Sequence, residues 1–336
     1  FQIQCDTCCA SMSTHDKKMN YLTWTLINVP LGVINFTCNG FYIFCVVCPL
    51  QGERIKQPLK LLLSSLIVST DIYLLTVLGL FFSEEIKENN IAQICLVISL
   101  GCLSVSVSSF AWLNFFYYTQ IVPGQRALFT WIKKNIKPII YSVVLLENIC
   151  NLLDFSLMFL VLNNTELNMT TTGTHASLFI PPEDFLHQPL HIYIIRIFLL
   201  KSRFYTSFIV MMTSSGITVV YLGRHIRRMV INGQSLSSAV LSSQLRVTIT
   251  GILQCLLYFF FALWWENASA SQHNLSALID PHIRSTVVSF YMLGVTFNLG
   301  AGQSVFRQRA ADMWSRAGQC CKRLEPKTRS NGVNPI

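Results

Sequence analysis

Three carboxylates lie inside long apolar stretches of the sequence, where charged groups are costly and often functional: Asp71, Glu147 and Asp154. Glu147 and Asp154 are seven residues apart, so they share one face of a helix. No two carboxylates are arranged as an acid and a base. The sequence also lacks the HExxH, GxSxG and Walker-loop patterns. We therefore expect no enzyme, and neither a cofactor nor a metal ion.

The composition predicts the elements that must position these residues. Of 336 residues, 52% are hydrophobic and only 12% are charged, which is too few charges for the polar shell of a soluble domain. A membrane-spanning helix needs about 20 mostly apolar residues. The sequence contains seven such windows and predicts an all-α bundle of seven membrane helices: Leu22 to Cys48, Leu59 to Phe82, Ile91 to Ile121, Pro138 to Leu162, Phe204 to Leu222, Val247 to Trp265 and Thr286 to Phe306.

The sixth and seventh windows are the cleanest, whereas the fifth begins among three basic residues, Arg196, Lys201 and Arg203. We assign these bases to an outward extension of the fifth helix, just outside the membrane. On this interpretation no basic residue within a window can pair with Glu147 or Asp154. Asp154 near the outer end either faces a ligand or is a structural carboxylate.

The distribution of positive charge predicts the orientation of the bundle. Most of the 25 Lys and Arg residues flank one set of helix ends, which is the cytoplasmic set, and this places the N-terminus outside and the C-terminus inside. The domains are then an extracellular N-terminal segment (1–21), a seven-helix domain (22–306) and a basic cytoplasmic tail (307–336). Residues 1–18 resemble no signal peptide, and Met19 is a candidate start. The net charge of +9 comes from basic residues at the cytoplasmic side, where they would face anionic lipid and protein partners. We therefore expect no nucleic-acid partner.

Two kinds of modification site agree with this topology. Asn-x-Ser/Thr sequons occur in loops assigned to the outside, at Asn163, Asn168, Asn267 and Asn274. Cys320 and Cys321, beside basic residues of the inner tail, are candidates for palmitoylation or are free thiols.

Seven helices with compact loops suggest a receptor, a retinal protein or a transporter. A retinal protein needs a Schiff-base lysine in its last helix, and the seventh window contains none. A transporter often has broken helices and paired charges at the membrane midplane. The interpretation above leaves Glu147 and Asp154 unpaired, which favours a receptor.

The stretch "AWLNFFYYTQIVPGQRALFTWIKKNI", which begins at Ala111, carries the strongest motif. It resembles the third helix and second inner loop of the type 2 taste (bitter) receptors, a family of G-protein-coupled receptors with the pattern "AWLxVFYxxKI…PLFxWLKxxI". "CNGFYIF", "YLGRHIRRMV", "ILQCLLYF" and "GVTFNLGAGQSVFRQ" are similar to other segments of the family. The resemblance therefore extends along the chain.

Several positions depart from the family pattern, and we expect a divergent member of the family from a non-mammalian lineage. Thr70 replaces an Arg of the second helix, Gln120 replaces a Lys of the third, and Val295-Thr296 replaces a His-Ser pair. Gln303-Ser304-Val305 stands in place of Asn-Pro-Lys, so the polar network that joins these positions must be rebuilt. Asp71, next to Thr70, is either an ion site or a hydrogen-bonded residue between helices.

The resemblance implies a multi-pass plasma-membrane receptor that binds a small, largely apolar agonist and activates a heterotrimeric G protein of the gustducin type. The alternatives are a type 1 vomeronasal-like pheromone receptor and, in another class, a small-solute transporter. Family pockets lie between the third, fifth, sixth and seventh helices. By resemblance, the ligand-binding residues here are Ser99, Cys102, Leu103, Phe261, Ala262, Trp265, Ser285 and Ser289.

A G protein must enter between the inner ends of the third, fifth and sixth helices if the receptor acts by favouring one of two helix arrangements. The motif matches and the charge pattern place a coupling surface there. Its predicted residues are Tyr117, Gln120, Ile121, His225, Arg228, Met229 and Arg246. We expect His225 to join the fifth helix to the sixth or third by a hydrogen bond.

Overall fold

The computed structural model describes residues 21–48, 57–86, 89–123, 127–171, 183–232, 239–270 and 281–324. The only regular secondary structure in these ranges is helical. The bounds of the helices are α1 (Tyr21–Val47), α2 (Leu59–Ile86), α3 (Asn89–Ile121), α4 (Ala127–Lys134), α5 (Ile136–Thr171), α6 (Glu183–Ile231), α7 (Ala239–Ala270), α8 (Pro281–Gly302) and α9 (Ser304–Leu324).

The expected all-α membrane bundle is confirmed. Six helices are long and apolar enough to cross a membrane, namely α1, α2, α3, α5, α6 and α7. The seventh predicted span corresponds to α8, which is not among the six, so its description as one of the cleanest windows is wrong. Its hydropathy is lowered by Thr286, Ser289, Thr296 and Asn298, and the first three of these side chains are buried against other helices.

The bundle places polar side chains inside and apolar side chains outside, as a lipid surrounding requires. On α1, Asn28, Asn35 and Asn39 are at most 3% exposed, whereas Leu26 is 66% exposed. Asn28 donates from Nδ2 to Thr286 Oγ1 of α8 over 2.8 Å. Because lipid tails are as apolar as leucine, interhelical hydrogen bonds and close packing rather than the hydrophobic effect hold such helices together.

α3 lies at the centre of the bundle and packs against α2, α4, α5, α6 and α7. Its buried face carries Val107, Phe110 and Ala111, which belong to one core shared with the neighbouring helices. α8 packs between α1 and α7. α3 is therefore the helix around which the others pack.

The tail does not continue as an irregular segment but forms α9, which docks on the inner end of α1. Phe306 stacks on Tyr42 with ring centroids 4.5 Å apart. The Arg309 guanidinium donates to the carbonyl oxygen of Cys48, and the Arg309 side chain is buried. The residues predicted as a basic tail thus begin with a helix fixed to the bundle.

The modification sites occupy helices rather than loops wherever the structure describes them. Asn163 and Asn168 lie on the outer extension of α5, and Asn267 is an exposed residue near the outer end of α7. The expectation that these three lie in loops is wrong, because α5 and α7 continue beyond their apolar windows. Asn274 falls outside the described residues. Cys320 and Cys321 are in the last turns of α9.

One of the intramembrane carboxylates, Glu147, is paired with Arg203, contrary to the expectation from the sequence. Arg203 lies on α6, as expected, but its guanidinium forms an ion pair with Glu147 of α5, with Nε 3.0 Å from Oε2. Glu147 is about midway along the apolar span Ile136–Leu157. The prediction that no basic residue pairs with Glu147 is therefore wrong. The long Arg203 side chain reaches inward from the start of the apolar segment, and pairing offsets the cost of burying both charges.

Candidate functional site

A cavity of about 180 Å³ lies between the outer halves of α6 and α7. Its wall is almost entirely aromatic and aliphatic, so it suits a ligand that has little polar surface. α6 contributes Lys201, Phe204, Tyr205 and Phe208, and α7 contributes Tyr258, Phe259, Phe261, Ala262, Leu263, Trp265 and Glu266.

Helical spacing explains why these aromatic rings meet. Phe204 and Phe208 are four residues apart on α6, and Tyr258, Phe261 and Trp265 recur at three or four residues on α7. The Tyr258 hydroxyl donates to the carbonyl oxygen of Phe204 over 3.0 Å, which joins the two helices beside the cavity. The cavity wall is therefore held by a direct interhelical bond.

Charged groups stand at one end of the cavity. Lys201 Nζ lies 2.9 Å from Glu266 Oε2, and the two side chains are 36% and 41% exposed. The Tyr205 hydroxyl donates to Glu266 Oε1 over 3.1 Å. A ligand in the cavity would thus meet apolar rings along its length and polar groups at one end.

The structure brings three of the eight predicted ligand-binding residues to this cavity, namely Phe261, Ala262 and Trp265. Phe261 is buried and packs against Tyr291 of α8, with ring centroids 4.7 Å apart. The cavity is thereby in contact with the α8 side of the bundle.

The three predicted residues of α3 are buried but do not line the cavity. Leu103 is fully buried, and Cys102 and Ser99 are 8% and 9% exposed. Ser99 donates to the carbonyl oxygen of Leu96 on its own helix over 2.7 Å. These side chains contribute to the packing of α3 in the arrangement that the structure describes.

The two predicted residues of α8 are directed toward α1 and α2. Trp24 Nε1 donates to Ser285 Oγ over 2.8 Å. The hydroxyl groups of Tyr73 and Ser289 lie 3.0 Å apart. The eight predicted residues therefore divide among three environments, and their shared role in one pocket stays a prediction.

Sequence reasoning missed the α6 side of the cavity. The signal that would have found it is the aromatic repeat of Phe204 and Phe208, which faces the matching repeat of α7. The neighbouring bases Arg196, Lys201 and Arg203 obscure this repeat in the sequence.

The inner half of the bundle contains the predicted coupling residues. Tyr117 donates from its hydroxyl to Gln303 Oε1 over 2.7 Å and so connects α3 to the break between α8 and α9. Gln303 stands where the family pattern has the Asn of Asn-Pro-Lys, so this bond is part of the rebuilt network. Gln120 is exposed and Ile121 is half-buried at the end of α3.

The predicted coupling residues of α6 and α7 are accessible. His225, Arg228 and Arg246 are exposed, and Met229 is half-buried. The His225 ring stacks on Tyr221 of the same helix, with centroids 6.1 Å apart. No hydrogen bond from His225 to another helix occurs among the described residues, so the expected interhelical bond is not formed in this arrangement.

Positive charge converges at the inner end of the bundle. Burial lowers the pKa of Arg307 at the start of α9, and the nearby Arg246 of α7 lowers the pKa further. Arg307 donates from Nη1 to the carbonyl oxygen of Ala301 over 2.6 Å. The two cations form a surface that would attract a negatively charged partner segment.

One position that departs from the family pattern, Thr70, is satisfied within its own helix. Thr70 is buried and donates to the carbonyl oxygen of Leu66 over 2.9 Å. Asn39 of α1 donates from Nδ2 to Asp71 Oδ1 over 2.9 Å. This contact is the one that the interhelical interpretation of Asp71 predicts.

Comparison with known protein families identifies the family to which this chain belongs. A family model described as taste receptor protein (TAS2R) matches residues 11–316, which is most of the chain. No curated protein matches the chain.

Proposed function

Because this chain belongs to the taste receptor (TAS2R) family, we propose that it is a plasma-membrane receptor that binds small, largely apolar bitter-type compounds and activates a heterotrimeric G protein. The observation that carries the proposal is the aromatic cavity between α6 and α7. The family is one of G-protein-coupled receptors and not of enzymes.

The ligand class follows from the chemistry of the cavity wall. A volume of about 180 Å³ suits a compact molecule or one part of a larger one, and the aromatic rings favour flat apolar groups. Lys201, Tyr205 and Glu266 at one end offer a donor, a hydroxyl group and a carboxylate. The favoured ligand is an apolar body that carries one polar group.

The function is tested by calcium release in cells that express the receptor with a promiscuous G protein, against a panel of bitter compounds. At least one compound is expected to give a concentration-dependent response that untransfected cells lack. Solute uptake that is independent of any G protein would favour the small-solute transporter and contradict the proposal. Replacement of the promiscuous protein by gustducin then tests the proposed coupling partner.

The ligand site is tested with Phe261→Ala and Trp265→Ala, each beside the control Phe260→Ala. Phe260 is a neighbour on α7 that is 65% exposed and does not line the cavity. Loss of a buried aromatic contact should raise the half-maximal agonist concentration by about ten-fold, at unchanged surface expression. Equal responses of the two site variants and the control would remove this cavity as the ligand site.

The remaining predicted ligand residues are tested in the same assay. Ser285 and Ser289 bond to α1 and α2, so their replacement by Ala should act on the packing of α8. If these variants or the α3 variants at Ser99, Cys102 and Leu103 shift agonist potency without lower expression, the ligand extends into the centre of the bundle.

The coupling surface is tested at Tyr117 and His225. Tyr117→Phe removes only the hydroxyl group that binds Gln303, and Tyr118→Phe is the matched control on the next residue. We expect Tyr117→Phe and His225→Ala to change G-protein activation while ligand binding and surface expression stay constant. Parallel loss of binding and signalling would identify these residues as scaffold.

A further inference from the structure

A second, much smaller cavity lies in the inner half of the bundle where α3, α7 and α8 meet. Its volume of about 10 Å³ leaves room for a single water molecule. Polar side chains occupy part of its wall, namely Asn114 and Tyr117 of α3, Thr250 of α7, Asn298 of α8 and Gln303. The cavity is therefore unlike the apolar one between α6 and α7.

Two amide atoms on this wall lack a hydrogen-bond partner among the described residues. Asn114 Nδ2 is a donor and Asn298 Oδ1 is an acceptor. Asn114 is only 8% exposed. A buried donor and a buried acceptor without partners cost free energy, and a water molecule between them satisfies both at once.

Neighbouring contacts hold the two amides in place. Asn298 Nδ2 donates to the carbonyl oxygen of Thr250 over 2.8 Å and to Gln254 Oε1 over 3.1 Å, which fixes the direction of its Oδ1. Gly251 of α7 lies beside Asn114, and a Cβ added there would be 3.0 Å from Asn114 Oδ1. The absence of a side chain at Gly251 thus makes room for Asn114.

We propose that this cavity binds one ordered water molecule that accepts a hydrogen bond from Asn114 Nδ2 and donates one to Asn298 Oδ1. The water joins α3 to α8 three residues from Tyr117, whose hydroxyl makes the direct bond to Gln303. A metal cation fits the site less well, because no carboxylate lines the cavity and one of the two free atoms is a donor.

The water site also lies at the inner end of a continuous series of contacts from the ligand cavity. Phe261 packs on Tyr291, and the Tyr291 hydroxyl accepts a bond from Gln254 Nε2 over 3.3 Å. Gln254 then binds Asn298. A ligand that shifts Phe261 therefore acts on the group that holds the water. By joining α3 to α8, the water would hold the receptor in its inactive arrangement, that is, act as a lock. The lock rests on the proposed function, whereas the water site itself does not.

The site is tested by an experimental density map of the full-length receptor without agonist, at a resolution that shows ordered water. Density within hydrogen-bond distance of both Asn114 and Asn298 is expected in the wild type and absent in Asn114→Leu. A wild-type map with well-defined amides and no density between them would overturn the proposal. If no compound causes calcium release, the proposed function is contradicted, but the density expected at the water site is unaffected.

The role as a lock is tested by agonist-independent signalling per receptor at the cell surface. Loss of one hydrogen-bonded bridge should raise basal signalling of Asn114→Leu by about five-fold, whereas the control Asn148→Leu on the exposed face of α5 should leave it unchanged. Gly251→Ala displaces the Asn114 side chain without removing it and should also raise basal signalling. This variant tests the lock if Asn114→Leu fails to reach the surface. Unchanged basal signalling in both variants would refute the lock.

Discussion

Removal of one partner from the Glu147–Arg203 pair should destabilise the receptor far more than removal of both. The side chains of Arg203 and Glu147 are only 12% and 16% exposed, and Arg203 Nη2 also donates to Asn151 Oδ1 over 2.9 Å. Breaking a buried pair leaves one uncompensated charge and costs about 3–5 kcal/mol. Replacing both charges by apolar residues of similar size is often neutral.

The perturbation is a double-mutant cycle of Glu147→Leu, Arg203→Met and the two together. Each single variant should lower the apparent melting temperature of the solubilised receptor by roughly 5–10 °C, if about 3 kcal/mol is lost. The double variant should recover most of this loss. Thermal unfolding followed by a thiol-reactive fluorophore measures all four proteins, because buried cysteines become accessible when the bundle opens.

The chain supplies a matched control on the same helix. Lys201 and Glu266 are also paired between helices, but their side chains are 36% and 41% exposed. An exposed pair contributes at most about 1 kcal/mol, so Lys201→Met should change the melting temperature only slightly. The argument from burial would be refuted if Glu147→Leu and Arg203→Met lower the melting temperature no more than Lys201→Met does. It would also be refuted if the drop in the double variant equals the sum of the two single drops.

Two further predictions concern the contact of α1 with α8 and α9. A Cβ added at Gly300 would overlap the Tyr42 hydroxyl, whereas nothing lies within 4 Å of one added at Gly216. Gly300→Ala should therefore lower surface expression and Gly216→Ala should not; equal expression by flow cytometry would contradict this. Arg309→Met removes the bond to Cys48 and should increase deuterium exchange of the amides of α9, and unchanged exchange would show that α9 docks without it.

The sequence was sufficient to predict the class of fold because hydrophobic length and positive flanks act locally. The span beginning at Leu59 and the end of α3 at Ile121 agree with the predicted bounds. α6 extends much further than its window, since helices continue into the polar loops where hydropathy no longer marks them. Hydropathy does not predict a helix after residue 307 for the same reason, because basic residues dominate the predicted tail.

The candidate site was harder to predict because it depends on which side each helix turns toward its neighbours. Matched positions identified Phe261 and Trp265, which line the cavity. Ser285 has the expected residue type and depth, yet it faces Trp24 of α1. The Glu147–Arg203 pair was missed because a hydropathy boundary placed Arg203 outside the membrane, and only the geometry shows how far its side chain reaches.

We propose that occupation of the outer cavity is transmitted to a G protein. The most direct measurement of this transmission is guanine-nucleotide exchange on a purified heterotrimeric G protein by the receptor in lipid nanodiscs, with a compound that releases calcium in cells. The compound should accelerate exchange by the wild type, and Trp265→Ala should need a higher concentration for the same rate. Exchange that no active compound accelerates would contradict the account.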